Sequence, residues 1–283
     1  MPIGLIPGDL SPGDSRAREF DFADLTIDRI RSTRDPLFRL AYDRLWEEFG
    51  SKHEIERQSV LEKRFAIDPA TVRENTWMMY EMLIVRRDEA FAAVRDHTAI
   101  VHKAANGDIN VVVHLSHLLI DKAFRKTGLA GWMRAFPLQT ARDVLAASGH
   151  ARASTTALVA EMEMPHPAHP DRLIRLRAYE KAGFSKIDPK AIPFIQPDFR
   201  DPATIDLTGG PQPLPMALIV RRVGREAERV IPAREVRSMV KSLYHMYAAA
   251  FREADMRQCF TVLKSIPNDE TPIRLLPPTG PDE

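Results

Sequence analysis

The stretch His114–Trp132, HLSHLLIDKAFRKTGLAGW, places Arg125, Lys126, Thr127 and Gly128 where an apolar run gives way to a helical pattern. A strand that ends at the start of a helix leaves several backbone N–H groups without helical partners, and those donors, with the helix dipole, favour an anion. Arg125 and Lys126 add positive charge, while Gly128 and Ala130 keep bulky side chains out of the turn. A pyrophosphate suits such a turn. Two other sets of residues could move protons. Strand alternation through 156–164 puts Glu161 and Glu163 on one face, opposite Met162 and Met164. In the preceding apolar run His114 and Ser116 share a face, and His117 points the other way, as a core histidine does. His166 and His169 stand three apart in MPHPAHP, but prolines interrupt any helix and no Cys or acidic cluster completes a ligand set, so no metal is expected. The lone Cys259 has no intrachain disulfide partner and reads as a small buried side chain.

The elements that must hold these residues follow from periodicity. Asp35-Pro36 reads as an N-cap and first helical position, with Leu37, Phe38, Leu40, Ala41, Leu45, Trp46 and Phe49 at helical spacing up to Gly50. A charged helix over His53–Phe65 comes next. Three strand-like runs follow, Trp77–Arg86, Ala90–Lys103 and Val111–Asp121, the last two joined by Ala105-Asn106-Gly107-Asp108, a hairpin turn. Met78, Met79, Tyr80 and Met82 on the first of them read as core, with an apolar acceptor pocket as the rival use. Beyond the basic turn the pattern predicts one helix over Gly128–Ser148, a strand over Thr156–Met164, and a helix through DRLIRLRAYEKAGF. Extended runs over Ile187–Ile195 and Met216–Val223 and an amphipathic helix or helix pair over Pro232–Ile266 complete the chain. Strand, helix, strand around the basic turn implies a parallel crossover in an otherwise antiparallel, and therefore mixed, sheet.

Composition narrows the function classes. Forty Lys+Arg against 39 Asp+Glu give a net charge of +1, so no global field points to nucleic acid or a membrane surface. No window reaches the ~18 apolar residues of a membrane span and the start lacks a signal-peptide pattern, so a soluble, cytoplasmic protein is expected. Residues 1–20 and 267–283 are rich in proline and are expected to be mobile or draped segments, a flexible start and a Pro-rich tail, leaving 21–230 as the main domain and 231–266 as a helical extension.

Arg125-x-x-Gly128-x-Ala130 after an apolar strand, followed about fifty residues later by Ala178-Tyr179-Glu180-Lys181-Ala182-Gly183-Phe184, resembles the GNAT superfamily of coenzyme A-dependent N-acyltransferases. Ile120-Asp121-Lys122-Ala123-Phe124-Arg125 looks like that family's lead-in to its turn. The resemblance spans 27–223 in element order, and its specific residues lie in 114–131 and 158–184. It implies an α/β fold with a mostly antiparallel sheet, a central parallel pair that splays apart, flanking helices and, in this chain, a C-terminal helical extension.

The resemblance also implies an acetyl-CoA cosubstrate whose pyrophosphate sits on the turn, here Arg125, Lys126, Thr127, Gly128, Leu129, Ala130 and Gly131. Its pantetheine would lie along Leu118, Leu119 and Ile120, with the thioester between the strand 114–120 and the strand 158–164. Ala130 replaces the commoner glycine and Lys122 the commoner proline, and Arg172 falls where the family often has an asparagine on CoA. Arg175 and Arg177 lie on the same helix. Acyl transfer to an amine needs a base, an oxyanion donor and a proton for the leaving thiolate. Tyr179 resembles the family's general acid, Glu161 its carboxylate base, and a backbone N–H near Ile120 its carbonyl polariser. His114, with Ser116, stands where some members place two histidines of a proton relay. The expectation is direct acetyl transfer to a small-molecule or peptide amine. The rival is a silent module that binds acyl-CoA as a sensor or scaffold. The helices beyond Pro232 offer a dimer surface or a lid.

Overall fold

The structure, a computed structural model, describes residues 4–280. Residues 1–3 and 281–283, parts of the expected flexible ends, lie outside the described residues. The chain divides into two compact units, residues 1–101 with 113–152, and residues 102–112 with 153–283.

The first unit carries α1 (Ser15–Arg18), β1 (Leu25–Ile30), α2 (Phe38–Phe49), α3 (Gln58–Phe65), β2 (Thr76–Arg87), most of β3 (Ala90–Lys103) and β4 (Ile109–Ile120), then α4 (Leu129–Ala135) and α5 (Pro137–Ala147). Its sheet runs β1-β2-β3-β4, and β1 pairs antiparallel to β2 with Leu25 opposite Arg87 and Ile30 opposite Met82. Alternation along β2 divides its side chains between two cores. Tyr80, Met82 and Ile84 pack with Phe38, Ala41, Leu45 and Leu61 of α2 and α3, whereas Leu83 and Val85 pack with Leu129, Trp132, Met133 and Phe136. Core packing is thus the use of Tyr80 and Met82. Buried Glu81 accepts from Arg29 Nε at 2.9 Å and Thr140 Oγ1 at 2.9 Å, so its charge is compensated where α5 meets the sheet.

Several boundaries differ from expectation for identifiable reasons. The α2 helix begins at Phe38, because Asp35 closes a turn instead, its carboxylate accepting from Leu37 N at 2.9 Å. The second helix starts at Gln58 after a left-handed His53 (φ 54°). The helix expected over 128–148 is two, α4 and α5, divided at Phe136, because Pro137 has no N–H to continue the ladder and becomes the first residue of α5. The strand β1 was not foreseen. Of the two expectations for the start of the chain, mobile or draped, residues 4–20 follow the second: Leu5, Leu10 and Ala17 belong to the core cluster of α4.

The hairpin between β3 and β4 closes as the Asn-Gly pair requires, with Gly107 at φ 89° and Ala104 N bonded to Asp108 O at 2.9 Å. It belongs with the second unit, together with β5 (Thr155–Met162), α6 (Pro170–Lys181), β6 (Ser185–Ile187), β7 (Ile195–Gln196), α7 (Pro202–Leu207), β8 (Leu214–Pro215), β9 (Ala217–Arg222), β10 (Val230–Pro232), α8 (Ala233–Ala248), α9 (Glu253–Ser265) and β11 (Pro272–Leu276). The strand order is β5-β9-β6-β11-β10 with every neighbouring pair antiparallel, and β7 pairs with β8 separately.

The C-terminal helices are part of this unit's core. Val236, Val240, Leu243, Tyr244, Met246 and Tyr247 of α8 are fully buried, as are Met256 and Cys259 of α9. Each such large apolar side chain contributes about 1.5–3 kcal/mol by leaving water. The apolar face offered to a dimer or lid is therefore occupied within the chain. The expected Pro-rich tail is likewise draped: β11 pairs with β6 and β10, and Lys186 Nζ donates to Gly280 O at 2.9 Å. The chain is a mixed α/β protein, mostly antiparallel in its sheets and flanked by helices. Among the described residues no helix is long and apolar enough to cross a membrane.

Candidate active site

The turn after β4 is built by backbone. Asp121 caps a short helical turn by accepting from Ala123 N at 2.8 Å, and Thr127 Oγ1 donates to Phe124 O at 2.7 Å. Lys126 (φ 65°) and Gly128 (φ 113°) both adopt left-handed conformations. Among the described residues no acceptor bonds the amides of Lys126, Thr127 or Gly128, while Leu129 N and Gly131 N reach Thr127 Oγ1 and Gly128 O. Arg125, Lys126 and Thr127 are half-buried, exposed and exposed in turn. Three amides without an internal acceptor thus stand next to two cationic side chains in sequence. Arg125 Nε also donates to Ile120 O at 3.1 Å, which ties that side chain to the end of β4. Leu118, Leu119 and Ile120 are half-buried, with Leu118 and Ile120 on one core and Leu119 on the other.

The glycines of this turn have a second reason to be glycines. A Cβ on Gly128 would meet the Arg16 carbonyl, lying 2.7 Å from its carbon, and one on Gly131 would lie 2.7 Å from Ala17 Cβ. The N-terminal strap is fastened there: Trp132 Nε1 donates to Ala17 O at 2.6 Å, Arg134 pairs with Asp14 at 2.6 Å, and Arg16 Nη1 donates to Lys126 O at 3.2 Å. Clearance for a ligand is therefore only part of why position 128 is small. The Pro-rich start concealed this contact, for which Leu5 and Leu10 were the only sequence signal.

The histidines of β4 take opposite states. His114 is buried, shares a 3.2 Å contact between its Nδ1 and Ser116 Oγ, and is pushed down to about 3 by burial and then by Arg64. Burial thus disfavours a proton on His114, which is neutral at ordinary pH. His117 is raised to about 9: burial opposes its charge, but the Asp96 carboxylate outweighs it at 2.8 Å from Nδ1, while Nε2 faces Glu54 O at 2.8 Å. Burial likewise opposes the charge of Asp96, yet His117 holds its carboxyl well below the usual range. His117 is thus a satisfied core histidine joining β3, β4 and the segment before α3.

In the second unit Glu161, half-buried on β5, is the best-defined carboxylate. Tyr247 Oη lies 3.0 and 3.1 Å from its two oxygens, and Gln196 Nε2 donates to Oε2 at 2.6 Å. Neither donor carries charge. Glu163, beyond the end of β5, is instead ion-paired to Arg172 and to Arg175, the latter at 2.6 Å, which gives Arg172 a structural partner. Cys259 is buried and pushed up to about 12 by burial and then by Glu161, so it stays a thiol. Tyr179 is half-buried near the end of α6, its ring edge-on to Phe184 at 4.9 Å. Sequence reasoning missed Tyr247 and Gln196, 86 and 35 residues from Glu161, because only folding brings them to it.

Other clusters are accounted for. The rings of His166 and His169 lie 5.6 Å apart, and among the described residues no group of three or more His, Cys, Asp or Glu could hold a metal. A cleft of about 230 Å³ between the start of β5 and α8 is lined by Thr155, Arg222, Arg225 and Glu235, whose charges pair with one another and with Glu228.

No family model matches the chain. No curated protein matches it. Among solved structures it is similar to aminoglycoside N(6')acetyltransferase from Legionella pneumophila, at 12% identity and TM-score 0.39 over 72% of this chain and 94% of that one. It is also similar to Arabidopsis thaliana Naa50 in complex with a CoA bisubstrate analogue, at 11% identity and TM-score 0.35 over 70% and 98% of the two chains. A third is an aminoglycoside acetyltransferase from an uncultured soil metagenomic sample, in complex with sisomicin, at 12% identity and TM-score 0.34 over 56% and 89%.

Proposed function

We propose that this chain is an acyl-CoA-dependent N-acyltransferase of GNAT type, moving an acetyl group directly to an amine of a small molecule or peptide. The observation that carries the reading is the turn after β4, where the amides of Lys126, Thr127 and Gly128 have no internal acceptor among the described residues and adjoin the cations Arg125 and Lys126. Acetyl-CoA, as cosubstrate, supplies the activated acyl group. The turn from Arg125 to Gly131 holds its pyrophosphate, and Leu118–Ile120 offer backbone to its pantetheine. Glu161 accepts the proton that the amine gives up as the N–C bond forms. Tyr179 donates its hydroxyl proton to the sulfur as the C–S bond breaks, and recovers one from solvent. His114, held neutral, orients the Ser116 hydroxyl.

The test has two stages. Acetyl-CoA should raise the melting temperature, with a stabilisation of about 2.7 kcal/mol at a hundredfold excess over Kd. A panel of amines should then include at least one that drives thiol release. No shift with any acyl-CoA removes the cosubstrate, whereas a shift without amine-dependent thiol release leaves the silent, CoA-binding module.

A further inference from the structure

The apolar helix α8 lies outside the part of the chain that carries the acyltransferase resemblance, yet it delivers a buried hydroxyl to the carboxylate assigned as base. Tyr247 is fully buried, and its Oη stands 3.0 Å from Glu161 Oε1 and 3.1 Å from Oε2. Its ring is fixed by Phe199 at 5.8 Å and Phe251 at 5.8 Å, so the hydroxyl has little freedom to leave. Gln196 on β7 adds a second neutral donor at 2.6 Å. Hydrogen bonds to an ionised acceptor are the strong ones, and neutral donors leave the carboxylate able to take a proton, which a tight arginine partner would oppose. Glu163, two residues on, shows the contrast, since Arg172 and Arg175 hold it in ion pairs.

We propose that Tyr247 and Gln196 are positioning residues for Glu161, so that the C-terminal helices form a working part of the acyl-transfer site. The inference rests on the reading of Glu161 as the base. Among the groups that reach that carboxylate are the Tyr247 hydroxyl, the Gln196 amide, and two residues that feel its charge, Tyr244 and the Cys259 thiol. Neither Tyr244 nor Cys259 ionises between pH 5 and 9, because burial raises both. The Tyr247→Phe/Glu161→Gln pair is what ties a change in the acid limb of the rate profile to Glu161.

The experiment is the pH dependence of kcat/KM for acetyl-CoA-driven thiol release, with an amine that the native protein accepts, for the native chain, Tyr247→Phe, Gln196→Ala, Glu161→Gln and the Tyr247→Phe/Glu161→Gln pair. Tyr247→Phe keeps the ring and deletes one donor to the ionised form, so the acid limb should move to higher pH. Turnover at neutral pH should fall about tenfold with KM for acetyl-CoA unchanged. The pair should be no slower than Glu161→Gln alone, because Tyr247 acts through that residue. A limb that stays in place in Tyr247→Phe, or a pair slower than Glu161→Gln by the full single effect, overturns the inference alone. Native turnover that is absent with every amine overturns the acyltransferase reading and the inference together.

Discussion

The turn at Lys126–Gly131 and the carboxylate of Glu161 are two ways of building a polar site. In the first unit the donors are main-chain amides, and what shapes them is backbone: left-handed Lys126 and Gly128, with the Arg16 carbonyl pressed against Gly128. In the second unit the group proposed as base is one side chain, held by side chains from β7 and α8. A backbone site tolerates side-chain change except where a Cβ would intrude, whereas a side-chain site is lost with a single substitution and leaves the fold intact. The histidines of β4 show the same dependence on surroundings at close range: three residues apart, one is held near 3 and the other near 9 by different neighbours.

The contrast can be broken in four places. Gly128→Val combines a φ of 113° with the Arg16 carbonyl, and should cost more than about 3 kcal/mol of stability. Gly107→Ala, at φ 89° with open space, should cost only about 1 kcal/mol. Chemical denaturation of both checks the pair, and equal costs would mean that the strap does not constrain the turn. Glu161→Gln should lower kcat by about a hundredfold or more while leaving the melting temperature and acetyl-CoA binding nearly unchanged; native turnover in that variant would remove the assigned base.

The third concerns pH. His117 is raised in the folded state to about 9 from an ordinary value of 6.5, so its pair with Asp96 contributes stability that is full below about 6.5 and lost as pH rises through about 9. On the order of 2 kcal/mol should disappear between pH 6 and pH 10 in the native chain and not in His117→Gln, as read by melting temperature across pH. Parallel curves would refute that account. The smallest expected effect is Tyr179→Phe, which should slow thiol release about tenfold without altering acyl-CoA affinity. A loss of stability with unchanged turnover would leave Tyr179 as the packing partner of Phe184.

The strands most regular in sequence were read closely. Ala90–Lys103 is legible to the residue, and the neighbouring strands to within two at each end, because turn residues bound each run; burial along Ala92–His102 is continuous and does not alternate. The helix over 128–148 was read as one because its apolar positions run through Pro137, although the missing N–H of that proline ends the first ladder. Leu25–Ile30 went unseen because Asp28 and Arg29 interrupt its apolar pattern. Arg29 is satisfied by Glu81, and Asp28 by Arg86, partners that sit more than fifty residues away. Composition left open whether the proline-rich ends are mobile or draped, because it reports the entropy a segment must lose and says nothing of a core waiting to bury it.

By itself the sequence determined the three long strands β2, β3 and β4, the sharp hairpin at Asn106-Gly107, and the basic glycine turn that follows an apolar strand, all of which depend on residues within a few positions of one another. Only the tertiary structure decided that Gly128 lies under the Arg16 carbonyl, that His114 is neutral while His117 is charged, and that Tyr247 reaches Glu161 across 86 residues of chain. Protonation state and hydrogen-bond partnership are set by burial and by groups within a few ångströms in space, and distance along the chain carries no record of either.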